Sequence, residues 1–405
     1  MIHVCFGICD ETGCSAKFVG TSMLSLFDNI AKPLPPVTVH ILHDNTLTTD
    51  NRNKFSYIAG RHNQLVKFYN VEELCPDKIA EMKNCFSNID KTRFNKEAFY
   101  KFLIPQILPK DIEKAIYLDS DTVVNMDIGE LWRVELGNKI LGAVTALAIG
   151  FDIHTQDKIV ADGFVKQEDY FDAGILLMNL KLLRGAEETV TNGMKFVNEH
   201  KYSNLLDQSV LNYCFSLETV KLSAQFNRFV RWARRKKEPV EKKIYHYTDY
   251  ALQLDMKDPF NLLWMGYFTK TPWFDTATIG RLYEGFQQVH VRLKKSVVNL
   301  SAIMSGKTRA FCVVPENIDD LKKFFHIRKD EEIIPLENKE SLQKLLNSMG
   351  NSQGKKIFII MDRNFPFNVL TQAGFAFGRD FLNGMEFLSE EQGISLNSYP
   401  LIKAM

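Results

Sequence analysis

No stretch of this sequence is apolar for long enough to cross a bilayer. The longest, residues 140–151, falls short of the roughly 20 residues that a transmembrane helix needs. Residues 1–6 run directly into a strand-like pattern, without the basic and apolar regions of a secretory signal peptide. From both absences we expect a cytoplasmic protein, or one peripheral to the inner face of the membrane.

The sequence also lacks an excess of either charge. Its 50 basic and 49 acidic residues leave a net charge of +1, so any attraction to nucleic acid or to a membrane must be local. Its seven cysteines are odd in number and irregular in spacing, which argues against a disulfide framework and for a reducing compartment. Cys5, Cys9 and Cys14 have no zinc-ligating partners nearby, and we interpret them as one buried strand thiol and two loop thiols.

Short apolar runs alternate with helical patterns along most of the chain. The predicted strands are 4–8, 37–42, 65–69, 115–118, 141–148 and 174–179, and the predicted helices are 18–27, 50–60, 97–108 and 207–215. Alternation of this kind is typical of an α/β fold in which helices flank a parallel sheet.

A second series of alternating strand and helix patterns begins at about residue 298 and predicts a smaller α/β unit. Its predicted strands are 310–314, 332–336 and 357–361, and its predicted helices are 318–325 and 341–348. With a linker at residues 294–306, the domains become 1–293 and 307–405. The small domain has no phosphate-binding glycine pattern, and we interpret its aromatic, glycine-rich segment 374–381 as packing and turns.

Two acidic residues follow the predicted strand 115–118. Asp119 and Asp121 lie one residue apart at its carboxyl end, where ligands bind in an open parallel sheet. Two carboxylates on a turn can share a divalent cation, or they can simply cap the turn. His246 is a candidate third ligand, although a lone histidine is more often a core or surface residue. Imidazole beside carboxylates suits Mn²⁺ better than Mg²⁺.

Four segments, in the same order, resemble the retaining glycosyltransferases of family 8. This group includes bacterial lipopolysaccharide galactosyl- and glucosyltransferases and glycogenin. The resemblance covers residues 2–273, and each segment is weak alone but strong in combination. The segments are 4–7 with 19–26, 98–105 with 115–124, 170–180, and 207–212 with 244–247.

The resemblance implies a GT-A fold, a nucleotide-sugar-binding mixed sheet flanked by helices. It implies a metal, Mn²⁺ with Mg²⁺ as the alternative, held by Asp119, Asp121 and His246. The implied contacts to the donor, a UDP-sugar, are Gly7 and Asp10 at the uridine, and Lys101, Asp119, Ser120, Asp172 and Ala173. The implied residues beside the reacting carbon are Asp207 and Gln208.

The sequence departs from the family pattern in three places. The loop at residues 8–15 is longer and lacks the usual aromatic residue. Lys101 stands where the family has Arg, which keeps the charge but loses the planar fork. The Gly and Lys that usually follow the His are not evident in residues 249–254, and Lys257 is a candidate replacement to which no role is assigned. These departures bear on the identity of the donor more than on the reaction.

The resemblance implies transfer of a hexose, glucose or galactose, from the UDP-sugar to a cell-surface glycan or glycolipid, as in bacterial lipopolysaccharide biosynthesis. Retention requires either double displacement or attack from the leaving-group face. Because a Gln amide oxygen is a poor nucleophile, we favour attack from the leaving-group face, with Gln208 positioning the sugar while Asp172 and Asp207 hold its hydroxyls. The alternatives are an inverting glycosyltransferase or a nucleotidyltransferase on a similar sheet, and a catalytically silent nucleotide-sugar-binding protein.

A dense basic segment lies at residues 228–237. It contains Phe229 and Trp232 among its six cationic residues, which are Arg228, Arg231, Arg234, Arg235, Lys236 and Lys237. One interpretation is contact with an anionic acceptor or with a membrane surface, and the other is a solvated loop. No recognition motif for nucleic acid accompanies the charge, so we expect no nucleic-acid partner.

Overall fold

The computed structural model describes most of the chain. The described residues are 1–31, 36–85, 96–150, 157–200, 206–248, 258–275, 280, 307–315, 318, 321, 327, 329–337, 339–362 and 364–384. They fall into two compact units, Met1–Ile279 and Gly280–Leu401. The predicted linker at 294–306 lies outside the described residues, so the predicted domain boundaries stay predictions.

A seven-stranded mixed sheet forms the centre of the first unit. Its strands are β1 (Ile2–Ile8), β2 (Val37–His43), β3 (Leu65–Asn70), β4 (Lys114–Leu118), β6 (Leu141–Ala143), β7 (Ile175–Asn179) and β8 (Thr219–Lys221). The order in space is β3-β2-β1-β4-β7-β6-β8. The strands from β3 to β4 are parallel, and β7 runs antiparallel to both of its neighbours.

Fourteen helices of the first unit lie among the described residues. They are α1 (Ser15–Asp28), α2 (Thr49–Arg61), α3 (Val71–Leu74), α4 (Pro76–Cys85), α5 (Lys96–Phe99), α6 (Ile104–Ile107), α7 (Ile128–Trp132), α8 (Ala146–Ile149), α9 (Lys158–Ala161), α10 (Leu180–Arg184), α11 (Glu187–Glu199), α12 (Leu206–Phe215), α13 (Val230–Arg235) and α14 (Pro259–Phe268). Short 3₁₀ turns lie at Tyr100–Leu103, Ser216–Glu218 and Ala224–Phe226. No helix in the described part of the chain is both long and apolar enough to span a membrane.

Burial along the strands explains why the sequence forms this sheet. Every residue of β2, and all but one of β1, is buried, as expected for parallel strands covered on both faces. The edge strand β3 is exposed or half-buried throughout. The continuous apolar runs of the sequence therefore mark the central strands.

The predicted strand at 141–148 is wrong over its second half. The structure has β6 only at Leu141–Ala143, and α8 follows. The Thr145 hydroxyl caps this helix by accepting from the Ala148 amide N–H at 3.3 Å. Gly150 ends the helix in the left-handed region, at φ 90°, which glycine adopts without strain. An apolar run of this length does not by itself distinguish strand from buried helix.

A second, three-stranded sheet joins distant parts of the first unit. Its strands are β5 (Thr122–Val124), β9 (Arg228–Phe229) and β10 (Ile244–His246), in the order β5-β10-β9. Since β5 begins three residues after Asp119, this pairing brings the carboxyl end of β10 to the acidic turn. The predicted helix at 97–108 is divided into α5, a 3₁₀ turn and α6, with Pro105 in the first turn of α6.

The second unit contains a four-stranded parallel sheet, as predicted for a smaller α/β unit. The strands are β11 (Thr308–Val313), β12 (Glu332–Pro335), β13 (Lys356–Met361) and β14 (Phe381–Asn383), in the order β12-β11-β13-β14. Helices α15 (Lys339–Asn351) and α16 (Phe367–Gln372) are also described. Most of the predicted helix 318–325 lies outside the described residues.

Candidate active site

The two acids lie in the turn between β4 and β5. The Asp119 amide N–H donates to the Gly174 carbonyl oxygen at 2.7 Å, which ties the turn to the residue just before β7. The Thr122 hydroxyl donates to the Asp119 carbonyl oxygen at 2.9 Å and closes the turn. Ser120 and Asp121 follow with half-buried side chains. Both carboxylates therefore stand at the carboxyl end of the buried strand β4.

His246 reaches the acids through the register of the small sheet. It pairs with Thr122 across the β10–β5 ladder, and the next amide N–H, of Tyr247, donates to the Asp121 carbonyl oxygen at 2.8 Å. The His246 Nε2 atom lies 3.1 Å from Asp121 Oδ1 and 3.7 Å from Asp119 Oδ2. The imidazole, 125 positions beyond Asp121 in the sequence, thus contacts both acids.

Gly174 makes room for this arrangement. A Cβ atom at this position would lie 2.3 Å from His246 Cε1 and 2.8 Å from Asp119 Oδ2. Neither neighbour is a flexible side-chain end, because the imidazole is buried and the carboxylate is hydrogen-bonded to the Tyr117 hydroxyl at 2.7 Å. A residue without a side chain is required where β7 meets the acidic turn.

The close packing of acids and imidazole shifts the pKa values of His246 and Asp119. Burial lowers the pKa of His246, but the neighbouring carboxylates, Asp121 foremost, outweigh burial and raise it to about 9. Burial raises the pKa of Asp119 to about 6, against the opposing charges of Lys101 and His246. Without a cation, both imidazole nitrogens therefore carry a proton at neutral pH, and a bound metal would have to displace the proton on Nε2.

The donor set fits a divalent metal. One ligand atom each from Asp119, Asp121 and His246 lies within 4.8 Å of the other two. Among the described residues this is the one such group of His, Cys, Asp and Glu. His246 Nδ1 is buried and finds no hydrogen-bond partner in the described part of the chain. Two carboxylate oxygens and an imidazole nitrogen suit Mn²⁺, and the remaining positions would suit phosphate oxygens.

Lys101 is a buried counter-ion rather than an exposed contact. Its ammonium donates to Asp207 Oδ2 at 2.6 Å and to the Ala173 carbonyl oxygen at 3.0 Å. It also lies 3.7 Å from Asp119 Oδ1 and 4.6 Å from the centre of the Tyr117 ring. Burial lowers the pKa of Lys101, but these acids outweigh burial and raise it. One cation thus links the metal-site acid to the acid of α12.

Asp172 is fixed beside the imidazole. Its Oδ1 atom accepts from the Gly174 amide N–H at 3.0 Å and from Asn227 Nδ2 at 2.6 Å, and it lies 3.7 Å from His246 Nδ1. Asn227 is fully buried, and sequence reasoning missed it. Its position directly before the basic segment was a local signal, although nothing in the sequence connects it with Asp172.

Asp207 and Gln208 lie in the first turn of α12 and face the loop that carries Ala173. The Gln208 Oε1 atom accepts from the Ala173 amide N–H at 3.0 Å, and Gln208 Nε2 donates to the Tyr170 hydroxyl at 3.2 Å. One turn later, Asn212 exchanges two hydrogen bonds of 2.8 Å with the Phe171 backbone. Helix α12 is thereby attached to the loop by its own amide side chains.

Gly7 and Asp10 lie at the end of β1. A Cβ atom on Gly7 would lie 2.6 Å from the Glu97 carbonyl oxygen, so the strand and α5 approach closely there. The buried Asp10 carboxylate accepts from the Ala16 amide N–H at 3.0 Å and from Asn51 Nδ2 at 2.7 Å. Asp10 therefore caps the first turn of α1 and fixes the loop that follows β1.

The basic segment is divided between internal and exposed cations. Arg228 pairs with Glu238 at 2.5 Å and donates to the Ile149 carbonyl oxygen at 3.0 Å. Arg234 pairs with Asp258 at 2.7 Å. Both are structural. The cations that remain exposed are Arg231, Arg235, Lys236 and Lys237.

Comparison with known proteins gives the class and then the family. The chain superposes on WbbM, a bifunctional glycosyltransferase, with a TM-score of 0.52 at 20% identity, over 67% of this chain and 50% of that one. It superposes on an active-site mutant of LgtC with a TM-score of 0.52 at 19% identity, over 67% of this chain and 96% of that one. The fold is thus the GT-A fold of nucleotide-sugar-dependent glycosyltransferases.

The sequence comparisons identify the family within that class. The model of glycosyl transferase family 8 matches residues 15–250, which is more than half of the chain, and the chain belongs to this family. A putative glycosyltransferase of Haemophilus influenzae is 27% identical over 201 residues, covering 49% of this chain and 55% of that protein. The chain therefore spans about half the length of this curated relative.

Proposed function

We propose that this chain is a metal-dependent retaining glycosyltransferase that moves a hexose, glucose or galactose, from a UDP-sugar to a glycan or glycolipid acceptor of the cell surface. The observation that carries the proposal is the convergence of Asp119, Asp121 and His246 at the carboxyl end of β4. Family membership supports a nucleotide-sugar donor and an acceptor. The choice of hexose, acceptor and stereochemistry comes from the resemblance of the sequence.

The proposed metal, Mn²⁺ or Mg²⁺, would be held by the two carboxylates and the imidazole. When bound, it supplies Lewis-acid stabilisation of the negative charge that develops on the departing nucleoside diphosphate. The protein's part is to present the His246 Nε2 atom and the carboxylates of Asp119 and Asp121. Gly174 keeps the space between them open, since any side chain there would collide with the imidazole.

The chain's own residues would orient the sugar. In the proposal, Asp172 and Asp207 accept hydrogen bonds from sugar hydroxyls. Gln208 stabilises the positive charge that develops on the reacting carbon while the acceptor attacks from the leaving-group face. Lys101 holds Asp207 in place through its 2.6 Å hydrogen bond.

Removal of one metal-site acid tests the proposal. UDP release and glycosidic product are measured with UDP-glucose and UDP-galactose, in Mn²⁺, in Mg²⁺ and after chelation. Asp119→Ala and Asp121→Ala should each lower turnover by at least about a hundredfold. The matched control is Asp127→Ala, because Asp127 caps α7 through the Gly129 amide N–H and should leave turnover unchanged. Full activity in either metal-site variant would refute the metal site.

The product and the donor screen decide between the alternatives. An α-linked product from these α-linked donors indicates retention, and a β-linked product would make the chain an inverting enzyme. Binding of UDP-sugars without turnover of any donor would favour a catalytically silent nucleotide-sugar-binding protein. Release of hexose 1-phosphate, with the uridylyl group passing to an acceptor, would instead favour a nucleotidyltransferase.

A further inference from the structure

The Gln208 side chain is held at both ends by partners of opposite type. Its Oε1 atom faces a donor, the Ala173 amide N–H at 3.0 Å. Its Nε2 atom faces the Tyr170 hydroxyl at 3.2 Å. An amide turned by 180° would place nitrogen against the Ala173 N–H. The two contacts together therefore select one of the two amide orientations.

Tyr170 can serve only as an acceptor toward Gln208. Its buried hydroxyl donates to Asp157 Oδ2 at 2.7 Å, and a phenol has a single proton to give. Burial, followed by the charge of Asp157, raises the pKa of Tyr170 well above its usual range, so the proton stays on the phenol. The oxygen then offers a lone pair toward α12, and the Gln208 nitrogen must turn to it.

Asp157 fixes the direction of this chain of hydrogen bonds. It is 2% exposed and accepts from the Ile159 amide N–H at 3.1 Å and from the Ser209 hydroxyl at 2.6 Å, as well as from Tyr170. Ser209 follows Gln208 on α12, so Asp157 holds both the phenol and the helix turn that carries the glutamine. Every partner of Asp157 named here is a donor, which suits a carboxylate.

We propose that Asp157 and Tyr170 are positioning residues that set the orientation of the Gln208 amide beside the reacting carbon. The inference rests on the proposed function for the role of Gln208, while the hydrogen-bond polarity rests on the contacts alone. The series of hydrogen bonds runs from Asp157 through the Tyr170 hydroxyl to Gln208 Nε2. It leaves one N–H and one oxygen lone pair of the amide for the substrate.

Tyr170→Phe removes the acceptor and keeps the ring. The Gln208 contact to Ala173 remains, so the amide loses one of its two constraints. We expect the kcat for UDP release to fall about tenfold, the worth of one hydrogen bond, with the KM for the donor changed by less than about twofold because the lost interaction acts in the transition state.

Tyr267→Phe is the matched control. That phenol also accepts from a side-chain amide, Asn29 Nδ2 at 2.7 Å, and donates to Asn125 Oδ1 at 3.0 Å, but it lies on α14 outside the site. It should lower the Tm by an amount similar to Tyr170→Phe and leave kcat unchanged. A purely structural role for Tyr170 would make the two variants behave alike.

Asp157→Asn tests the direction in which the hydrogen bonds between Asp157, Tyr170 and Gln208 are donated. The Ile159 amide N–H requires oxygen at one end of the new amide, so its nitrogen faces the phenol and donates to it. The Tyr170 proton must then turn from residue 157 to Gln208 Nε2, where it opposes the amide hydrogens, or to the Ser209 hydroxyl, whose own proton then loses its acceptor at residue 157. We expect kcat to fall further than in Tyr170→Phe, by up to about a hundredfold, since polar groups are left unpaired. The double variant Asp157→Asn with Tyr170→Phe removes this conflict and should recover to the level of Tyr170→Phe alone.

A measurement on the amide itself separates this inference from the proposed function. The two carboxamide proton signals of Gln208 are assigned in ¹H–¹⁵N spectra by their loss in Gln208→Leu. In the native protein one signal should be shifted by its hydrogen bond to Tyr170, and Tyr170→Phe should abolish that shift whether or not any donor is turned over. Unchanged amide signals, or a kcat equal to that of the native protein in Tyr170→Phe, would overturn the inference. Failure of the native protein to turn over any donor would overturn only the proposed function.

Discussion

At the scale of single residues, Lys101 balances the negative charge of the acids around it. Lys101 is 1% exposed, and its three ammonium protons have three oxygen neighbours at 2.6, 3.0 and 3.7 Å. A Lys ammonium is a compact charge whose donors point in three directions, whereas a guanidinium is a planar fork. Replacement of the family's Arg by Lys therefore suits a residue that is surrounded by protein acceptors. This fits a role in holding Asp207 and the acidic turn together.

We predict that Lys101→Met destabilises the protein by about 3 kcal/mol and abolishes UDP release, because two half-buried acids lose their buried counter-ion. Urea unfolding and donor turnover measure the two effects. The control is Lys114→Met, since the partners of the Lys114 ammonium among the described residues are the carbonyl oxygens of Trp132 and Val134, each at 2.8 Å. That variant should cost about 1 kcal/mol and keep its activity. Equal losses of stability in both variants would argue against a counter-ion role.

At the scale of elements, the site is made by the register of two sheets. The antiparallel pairing of β4 with β7 places Leu118 opposite Ile175, so that Asp119 and Gly174 meet just beyond the ladder. The pairing of β5 with β10 then sets His246 opposite Thr122. A shift of one residue in either ladder would turn the imidazole or the acids to the other face.

We predict that Gly174→Ala disrupts the metal site without unfolding the protein. The new Cβ atom would press on His246 Cε1 and Asp119 Oδ2, and displaced ligands bind metal about tenfold or more weakly. Calorimetric titration with Mn²⁺ measures the change in metal affinity. The control Gly60→Ala lies in α2, where the new Cβ atom would meet open space beyond its own helix backbone, and it should bind Mn²⁺ normally. Native Mn²⁺ affinity in Gly174→Ala would contradict the proposed geometry.

The sequence predicted those elements whose signal is local. Residues 4–8 and 37–42 were predicted as strands, and β1 and β2 are there because continuous apolar runs report burial on both faces. The strand predicted at 141–148 failed after Ala143, because one hydroxyl cap and one left-handed glycine redirect the chain. The hydroxyl cap and the glycine each contribute about 1 kcal/mol, and a single residue of either type hardly changes the apolar pattern of the sequence.

The contacts within the site were beyond such reasoning. The resemblance named Lys101, Asp207 and Gln208 as site residues, but it did not imply that Lys101 pairs with Asp207 across 106 positions. Asn227 and Asp157 were missed because their partners, Asp172 and Tyr170, lie 55 and 13 positions away. Single-sequence patterns report secondary structure and turns, and they do not report which loops the sheet brings together.

At the scale of the whole molecule, the net charge is near neutral, so attraction to anionic partners depends on the basic segment at residues 228–237. With 50 basic and 49 acidic residues, the protein has no general attraction to an anionic membrane. Arg228 and Arg234 are engaged internally, which leaves Arg231, Arg235, Lys236 and Lys237 exposed on and after α13. The half-buried ring of Trp232 lies 5.4 Å from the guanidinium of Arg235. Any contact of this segment with an anionic acceptor or a membrane surface would therefore be made by these side chains.

We predict that changing these four cations to Gln weakens binding to vesicles of phosphatidylserine and phosphatidylcholine by at least about tenfold, since each surface cation contributes about 1 kcal/mol. Co-sedimentation at 0.1 M salt measures the binding, and it should decline as salt rises. The control changes four other exposed lysines, Lys110, Lys158, Lys166 and Lys195, to Gln, which alters the net charge equally. If both quadruple variants bind alike, net charge alone governs binding and the segment has no special role. If the native protein binds these vesicles no better than pure phosphatidylcholine, the membrane contact is wrong, and an anionic acceptor remains the candidate partner of the exposed cations.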